Sequence, residues 1–203
     1  MNNSVWGNDK ATVQLLKQVR PYGKWLDLAA GDGRYIPELL KTVDSLVVSD
    51  IDQELLNFIV SRYEHLEVKM FDLTKRFPFE NGSFDGVFCT GTLHLFREEM
   101  LRTIFSEISR ILKPEGVFIF DFATNVIRNK PDGTPVVFDG EPKYETKEAK
   151  HLLQKLLFDY SLEMKESTFK DDLTNVPGHG YVIRGDFIFV VANSSRTPEP
   201  NSG

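Results

Sequence analysis

From Lys24 to Phe122 the sequence alternates short apolar segments with segments whose apolar residues recur at helical spacing. Positions i, i+3, i+4 and i+7 indicate an amphipathic helix, and continuous runs rich in Val, Leu and Phe indicate a buried strand. The clearest helix is "REEMLRTIFSEISRILK", and the strands are "KWLDLAA", "SLVVSDI", "EVKMFDL", "FDGVFCTGT" and "EGVFIFDFA". Because strands that alternate with helices need crossover connections, the pattern predicts a mainly parallel sheet.

The sequence after residue 122 is less regular. Pro and Gly recur through residues 123–143 and predict a long loop, which in a compact domain often serves as a functional lid. A helix is predicted in "KYETKEAKHLLQKLLFDY", followed by two final strands in "SLEMKESTF" and "YVIRGDFIFVVAN". We therefore expect a single domain over residues 1–193 with a substrate lid over 123–143, and a flexible tail over 194–203.

Length and charge restrict the classes of partner. The chain has 203 residues, which suits one domain, and its net charge of -6 disfavours nucleic acid and anionic membranes as partners. Cys89 is the single cysteine, so no disulfide and no thiolate metal site can form within the chain, and we assign no metal. The sequence has no signal-peptide pattern and no apolar run of about 20 residues, so we expect a soluble cytoplasmic protein. The oligomeric state is left open.

The segment "KWLDLAAGDGRYIPELL" predicts a strand, a glycine-containing turn and a helix, an arrangement typical of nucleotide binding. A dinucleotide-binding turn normally has a third glycine and an uninterrupted apolar strand before it. Here Ile36 occupies the third position and Asp27 interrupts the strand. A phosphate-binding loop would end in Gly-Lys-Ser/Thr, which is absent. Neither kind of phosphate site matches the segment.

The stretch "LDLAAGDGRY" instead resembles the first motif of class I S-adenosylmethionine-dependent methyltransferases. The resemblance implies a doubly wound α/β fold with a seven-stranded Rossmann-like sheet whose last strand is antiparallel. It also implies S-adenosylmethionine (SAM) as cofactor and S-adenosylhomocysteine (SAH) as product. SAM carries no phosphate, and its amino group can meet an acid such as Asp27 beside the backbone of Ala29, Gly31 and Gly33.

An acidic residue ends the second apolar strand, about 20 residues after the glycine turn. In nucleotide-binding α/β folds, the acidic residue that accepts hydrogen bonds from the ribose hydroxyls lies at this position. We therefore predict that Asp50 holds the ribose, with Ile51 beside it as part of the cofactor site. The alternative for Asp50 is a helix N-cap, but Asp52 is better placed for that role.

The resemblance extends over about residues 24–122 and adds two further parts of the site. It assigns Asp72 to the adenine amino group, with the backbone of Leu73 nearby. Thr90 ends the fourth strand, where ligands of open α/β sheets bind. Asp85 begins that strand, far from the expected site, so we expect it to be structural.

The acceptor of the methyl group is not fixed by the fold. The fourth strand ends in "CTGTLH", without the Asn/Asp-Pro-Pro-aromatic motif of adenine-N6 and glutamine methyltransferases. Cytosine-C5 methyltransferases use a cysteine nucleophile in a Pro-Cys context, which Cys89 lacks. These absences and the acidic charge favour a small-molecule acceptor. His94 is the candidate catalytic base; the alternative is a packed histidine at the start of the next helix. Two other functions stay open: an RNA or protein methyltransferase, and a cofactor-binding regulatory protein without turnover.

Overall fold

Seven strands form one sheet in a computed structural model that describes residues 9–176 and 178–196. The strands are β1 (Lys24–Leu28), β2 (Ser45–Asp50), β3 (Glu67–Met70), β4 (Phe84–Cys89), β5 (Leu112–Asn129), β6 (Tyr160–Asp172) and β7 (Val182–Ser194). The helices are α1 (Asp9–Val19), α2 (Ile36–Leu39), α3 (Gln53–Arg62), α4 (Glu98–Ile111) and α5 (Thr146–Leu156). A short 3-10 helix, Leu93–Leu95, follows β4.

The sheet order is β3-β2-β1-β4-β5-β7-β6. Strands β1 to β5 pair in parallel, and β7, the last strand in the chain, is antiparallel to both β5 and β6. The predicted seven-stranded doubly wound sheet with an antiparallel last strand is therefore confirmed. Strand order reverses between β1 and β4, and such a switch point opens a crevice at the carboxyl ends of the strands.

Helices cover both faces of the sheet. Leu16 of α1, Ile36 of α2 and Ile59 of α3 are buried in one apolar cluster, on the side to which Trp25 of β1 belongs. The other face is covered by α4 and α5; α4 buries five apolar side chains there, Leu101, Ile104, Phe105, Ile108 and Ile111. Full burial of such a side chain contributes about 1.5–3 kcal/mol, so α4 fixes that face firmly.

The loop predicted over residues 123–143 begins later than expected. Residues 123–129 continue β5 and pair with β7, from Ala123 opposite Phe187 to Asn129 opposite Val182. The register shifts between Thr124 and Ile127, and a β-bulge of this kind lets a strand bend while its ladder continues. The interpretation of 123–129 as loop is thus wrong, and the irregular segment is 130–145, which we call the β5–α5 loop.

The carboxyl-terminal boundary also differs slightly from the expectation. Ser194 belongs to β7, and the Arg196 guanidinium donates to the Leu112 carbonyl at 3.1 Å, so the folded part extends to residue 196. The rest of the predicted tail, and residues 1–8, lie outside the described residues. None of the helices in the described part is long and apolar enough to cross a membrane.

Candidate functional site

The glycine turn between β1 and α2 is held by the end of β2. The Gly31 amide donates to Oδ2 of Asp50 at 2.8 Å, and the Ala30 amide donates to the Ser49 carbonyl at 2.9 Å. Oδ1 of Asp50 accepts from the Asp52 amide at 3.0 Å. A carboxylate has about four acceptor positions, so Asp50 still has capacity for ligand hydroxyl groups.

Three residues of this turn, Ala29, Gly31 and Gly33, have left-handed backbone for different reasons. Gly31 has φ +58°, and no atom lies within 4 Å of the point where a Cβ would stand, so a ligand can approach its backbone closely. Ala29 has φ +56°, an uncommon conformation for a residue with a side chain, and such strain concentrates at functional sites. Gly33 differs, because a Cβ there would meet Ile36 at 2.7 Å and Ile59 at 3.1 Å. Its role is therefore close packing of the turn against the helices.

A cavity of about 270 Å³ lies between the glycine turn and the end of β4; we call it the turn cavity. Its lining comprises Thr12 of α1, residues 29–32, Arg34 and Tyr35 of the turn, residues 90–92 after β4, Asp121 of β5, and Phe187 and Phe189 of β7. Of the predicted cofactor residues, Ala29, Gly31 and Thr90 line this cavity.

Asp121 is a site residue that the sequence reasoning missed. Its side chain is 5% exposed, and its Oδ1 accepts from the Gly91 amide at 2.7 Å, which ties β5 to the turn after β4. Burial raises the pKa of Asp121 to about 7, against smaller opposing effects of the Gly91 amide and of Arg34. The available signal was an acid near the carboxyl end of an apolar strand, the same signal that identified Asp50.

Asp27 lies within β1, before the glycine turn, and is opposite Phe88 of β4 in the sheet register. It is 3% exposed and does not line the turn cavity. Burial, reinforced by the negative charges of Asp50 and Asp32, raises the pKa of Asp27 to about 7. A cationic amino group beside it would favour the ionised form and lower this pKa. Its assignment to the amino group of a cofactor stays a prediction.

The remaining predicted cofactor residues lie at the ends of β2 and β3, outside the turn cavity. Ile51 is 65% exposed, so an apolar side chain is available there for a flat ring. Asp72 accepts from the Thr74 amide at 2.8 Å and hydroxyl at 2.7 Å through Oδ1, and these bonds lower the pKa of Asp72. Leu73 follows it, half-buried. The structure thus places the Asp50 carboxylate, the apolar side chain of Ile51 and the Asp72 carboxylate at the ends of the adjacent strands β2 and β3.

His94 lies on the 3-10 helix after β4 and lines a different cavity. Its side chain is 3% exposed and its ring contacts that of Phe122, with centroids 6.4 Å apart. Burial, with a smaller effect of Arg128, lowers the pKa of His94 to about 4, so its imidazole is neutral at pH 7. A neutral imidazole can accept a proton or a hydrogen bond, so the catalytic assignment stays a prediction.

The second cavity, of about 710 Å³, lies between the end of β5 and the β5–α5 loop; we call it the loop cavity. Arg128, 7% exposed, donates from both terminal nitrogens to Glu141 at 2.7 Å, and the Phe138 ring lies 4.8 Å from its guanidinium carbon. The Tyr144 hydroxyl donates to the Phe96 carbonyl at 2.7 Å. These contacts close the loop over the carboxyl end of β5.

Other chemistries have less support in the described part of the chain. Residues 9–176 and 178–196 contain no group of three or more His, Cys, Asp or Glu side chains placed to hold a metal ion. Cys89 is fully buried in β4, and burial raises the pKa of its thiol, which disfavours a nucleophilic role. Asp85 accepts from the Lys24 amide and pairs with Lys113 at 2.8 Å, so the expected structural role is confirmed.

Comparison with known proteins agrees with this geometry. A family model described as "Methyltransferase domain" matches residues 26–120. The highly reducing polyketide synthase ACTTS3 of Alternaria alternata is 28% identical over 131 residues, which cover 59% of this chain and 5% of that protein. YqeM of Bacillus subtilis (strain 168), which carries a provisional methyltransferase name, is 30% identical over 105 residues, 49% of this chain and 42% of YqeM. The chain therefore spans less than half the length of either curated relative.

Solved structures share the fold at low sequence identity. The 1,6-didemethyltoxoflavin-N1-methyltransferase of Burkholderia thailandensis, solved with 1,6-didemethyltoxoflavin and SAH, superposes with a TM-score of 0.63 at 15% identity. The match covers 93% of this chain and 78% of that one. With the glycine turn, the acid at the end of β2 and the antiparallel β7, the family match leads to one conclusion. Residues 26–120 match a methyltransferase domain, and the chain has the fold of the class I S-adenosylmethionine-dependent methyltransferases.

Proposed function

We propose that this protein transfers the methyl group of SAM to a small-molecule acceptor. The observation that carries the proposal is the bond from the Gly31 amide to Asp50, which joins the glycine turn to the end of β2 at the edge of the turn cavity. When bound, SAM supplies a methyl group that its sulfonium already activates. The protein therefore has to bind, align and exclude water, and alignment can remove about 7–11 kcal/mol of such a barrier.

In this proposal, residues at the carboxyl ends of β2 and β3 bind different parts of the cofactor. Asp50 accepts from the ribose hydroxyls, the exposed Ile51 packs on the adenine, and Asp72 accepts from the adenine amino group beside the backbone of Leu73. Oδ1 of Asp72 is already bonded to Thr74, so Oδ2 is the oxygen assigned to the adenine. Neutral and charged hydrogen bonds of this kind contribute about 0.5–3 kcal/mol each.

The methionine part of the cofactor belongs at the glycine turn. Ala29, Gly31 and Thr90 line the cavity there, and Asp27 lies behind the turn as the acceptor for the amino group. Gly33 contributes indirectly, by allowing the turn to pack tightly. The open space around Gly31 supports this placement, because a side chain at that position would occupy the path of a ligand.

We place the acceptor in the loop cavity, with the β5–α5 loop as its lid. The cavity is large enough for a small organic molecule, and its lining combines apolar side chains such as Val126 and Val136 with polar ones such as Asn125. His94 orients or deprotonates the acceptor from the cavity wall. The Burkholderia relative, solved with a small heterocycle, supports an acceptor of this size. The net charge of -6 supports a protein that binds neither nucleic acid nor anionic membranes, and we propose a cytoplasmic location for it.

Titration calorimetry tests the cofactor assignment. We expect heat of binding with SAM and with SAH, and none with NAD, because the turn lacks the third glycine of a pyrophosphate site. Incubation with methyl-labelled SAM and separate pools of small acids, amines and phenols, RNA, and cell-extract protein then tests the acceptor class. Label confined to the RNA or protein fraction would refute a small-molecule acceptor, and binding of NAD instead of SAM would refute the cofactor.

Replacement of His94 by glutamine tests its proposed role once an acceptor is in hand. We expect turnover to fall about 100-fold while the affinity for SAM stays unchanged, since general bases contribute at least that much. The measurement is single-turnover kinetics beside calorimetry of SAM. A variant that loses thermal stability and keeps its turnover would identify His94 as a packing residue.

A further inference from the structure

Asp121 is a carboxyl group in the wall of the turn cavity that the proposed function does not yet use. It lies in the middle of β5, directly after Phe120, the last residue of β5 that pairs with β4, and its Oδ1 accepts from the Gly91 amide at 2.7 Å. The side chain is 5% exposed, so its charge is little screened by solvent. A bound ligand in the turn cavity would lie beside this group.

Within residues 9–176 and 178–196, no salt bridge joins Asp121 to a cationic side chain, although the charge of Arg34 acts on it. Asp32, Arg34 and Tyr35 lie on the glycine turn, Asp27 on β1 and Cys89 on β4; α1 and β7 contribute the uncharged Thr12, Phe187 and Phe189. Arg34 pairs with Asp32 at 3.0 Å and lowers the pKa of Asp121, but burial has the larger effect and raises it to about 7. A cation bound in the cavity would favour the ionised carboxylate.

We infer that Asp121 is the side chain by which the site distinguishes the sulfonium of SAM from the neutral thioether of SAH. The inference rests on the proposed function. The two ligands share their adenosine, amino and carboxylate groups and differ in one methyl group and one positive charge. Asp121 is better placed than Asp27 to respond to that difference, because it lines the turn cavity and Asp27 does not. A site with this property binds the reactant more tightly than the product and so aids product release.

The direction of the pH dependence follows from linkage. A cation beside Asp121 lowers the pKa of this carboxyl in the complex below its value of about 7 in the free protein. The affinity for SAM should then rise as the pH increases toward 7 and level off above it. Asp27 and the ligand amino group are present in both complexes, so most of the effect of their titration cancels in a comparison of SAM with SAH. The ratio of the two affinities therefore isolates the contribution of the sulfonium charge.

Calorimetry of SAM and SAH at pH 5.5, 6.5, 7.5 and 8.5 tests the inference without any acceptor. For the parent protein we expect the preference for SAM over SAH to increase about tenfold between pH 5.5 and 8.5. For Asp121→Asn, whose amide oxygen can still accept from Gly91, we expect a ratio that stays at the low-pH value of the parent. Asp172→Asn, at an exposed carboxylate bonded to Thr174, is the matched control and should behave like the parent.

Two results would overturn the inference while leaving the proposed function intact. One is a SAM to SAH affinity ratio that does not change with pH in the parent protein, a measurement that needs no variant. The other is an unchanged pH-dependent ratio in folded Asp121→Asn. Equal loss of both affinities in this variant, at every pH, would show that Asp121 only holds the turn after β4. Failure of the parent to bind either ligand would overturn the proposed function as well.

Discussion

Replacement of Asp50 by alanine is expected to weaken SAM binding by about 10- to 150-fold. The side chain has two roles in the proposed site: it accepts from the ribose hydroxyls, and it holds the Gly31 amide at 2.8 Å. Alanine removes both, and a hydrogen bond to a charged group is worth about 1.5–3 kcal/mol. Calorimetry of SAM and SAH with the purified variant measures the effect directly.

Asp52→Ala is the matched control for this experiment. Asp52 lies two residues further along and caps α3, accepting from the Glu54 amide at 2.8 Å. Loss of an N-cap costs about 1 kcal/mol of stability, so this variant should unfold at lower denaturant concentration and bind SAM normally. If Asp50→Ala binds SAM as tightly as the parent does, the assignment of Asp50 to the ribose is wrong.

Replacement of Glu141 by glutamine is expected to destabilise the protein by about 3 kcal/mol. Its carboxylate neutralises Arg128, whose side chain is 6% exposed, through two bonds of 2.7 Å. Removing one partner leaves a buried charge without compensation, which costs more than the pair itself contributes. Urea denaturation measures the loss. Hydrogen exchange should also accelerate in the β5–α5 loop, because the ion pair ties that loop to β5.

Two further variants separate the ion pair from a general effect of charge. Glu145→Gln removes an exposed carboxylate from the lining of the same loop cavity and should change stability by less than about 0.5 kcal/mol. Replacing Arg128 and Glu141 together by leucine should recover much of the loss, because no buried charge remains. A double variant as unstable as Glu141→Gln would contradict this account of the pair.

Local patterning was sufficient to predict the sheet but not the full length of its strands. The runs of Val, Leu and Phe predicted β1 to β4, and the family resemblance implied the antiparallel β7 that the structure confirms. The extension of β5 over residues 123–129 was missed because Thr124, Asn125 and Asn129 are polar and because its pairing partner, β7, lies some 60 residues further on. Hydrogen-bonded pairing between strands that are far apart in the chain produces little recognisable pattern in the local sequence.

Residues of the candidate site were predictable where a single acidic residue at the end of an apolar strand indicated the role. Asp50 and Asp72 stand at strand ends, and the structure places both at the same edge of the sheet as the glycine turn. Asp121 was missed because Phe122 and Ala123 continue the apolar run after it, so its position at the cavity became clear once β4 and the Gly91 turn lay beside it. His94 was correctly placed after β4, but sequence could not show which cavity it would line.

Because β7 contributes to the wall of the turn cavity, this cavity can form neither early in translation nor in a fragment that lacks β7. Phe187 and Phe189 complete the cavity wall, and Asp121 stands one residue beyond the matched methyltransferase segment 26–120. During translation the nascent chain must therefore emerge beyond Phe189 of β7 before this wall can assemble. A fragment cut to the matched segment would retain the glycine turn and lack the side chains that enclose a ligand there. Proteolytic removal of β7 should abolish cofactor binding even though every residue assigned to the ribose and adenine remains.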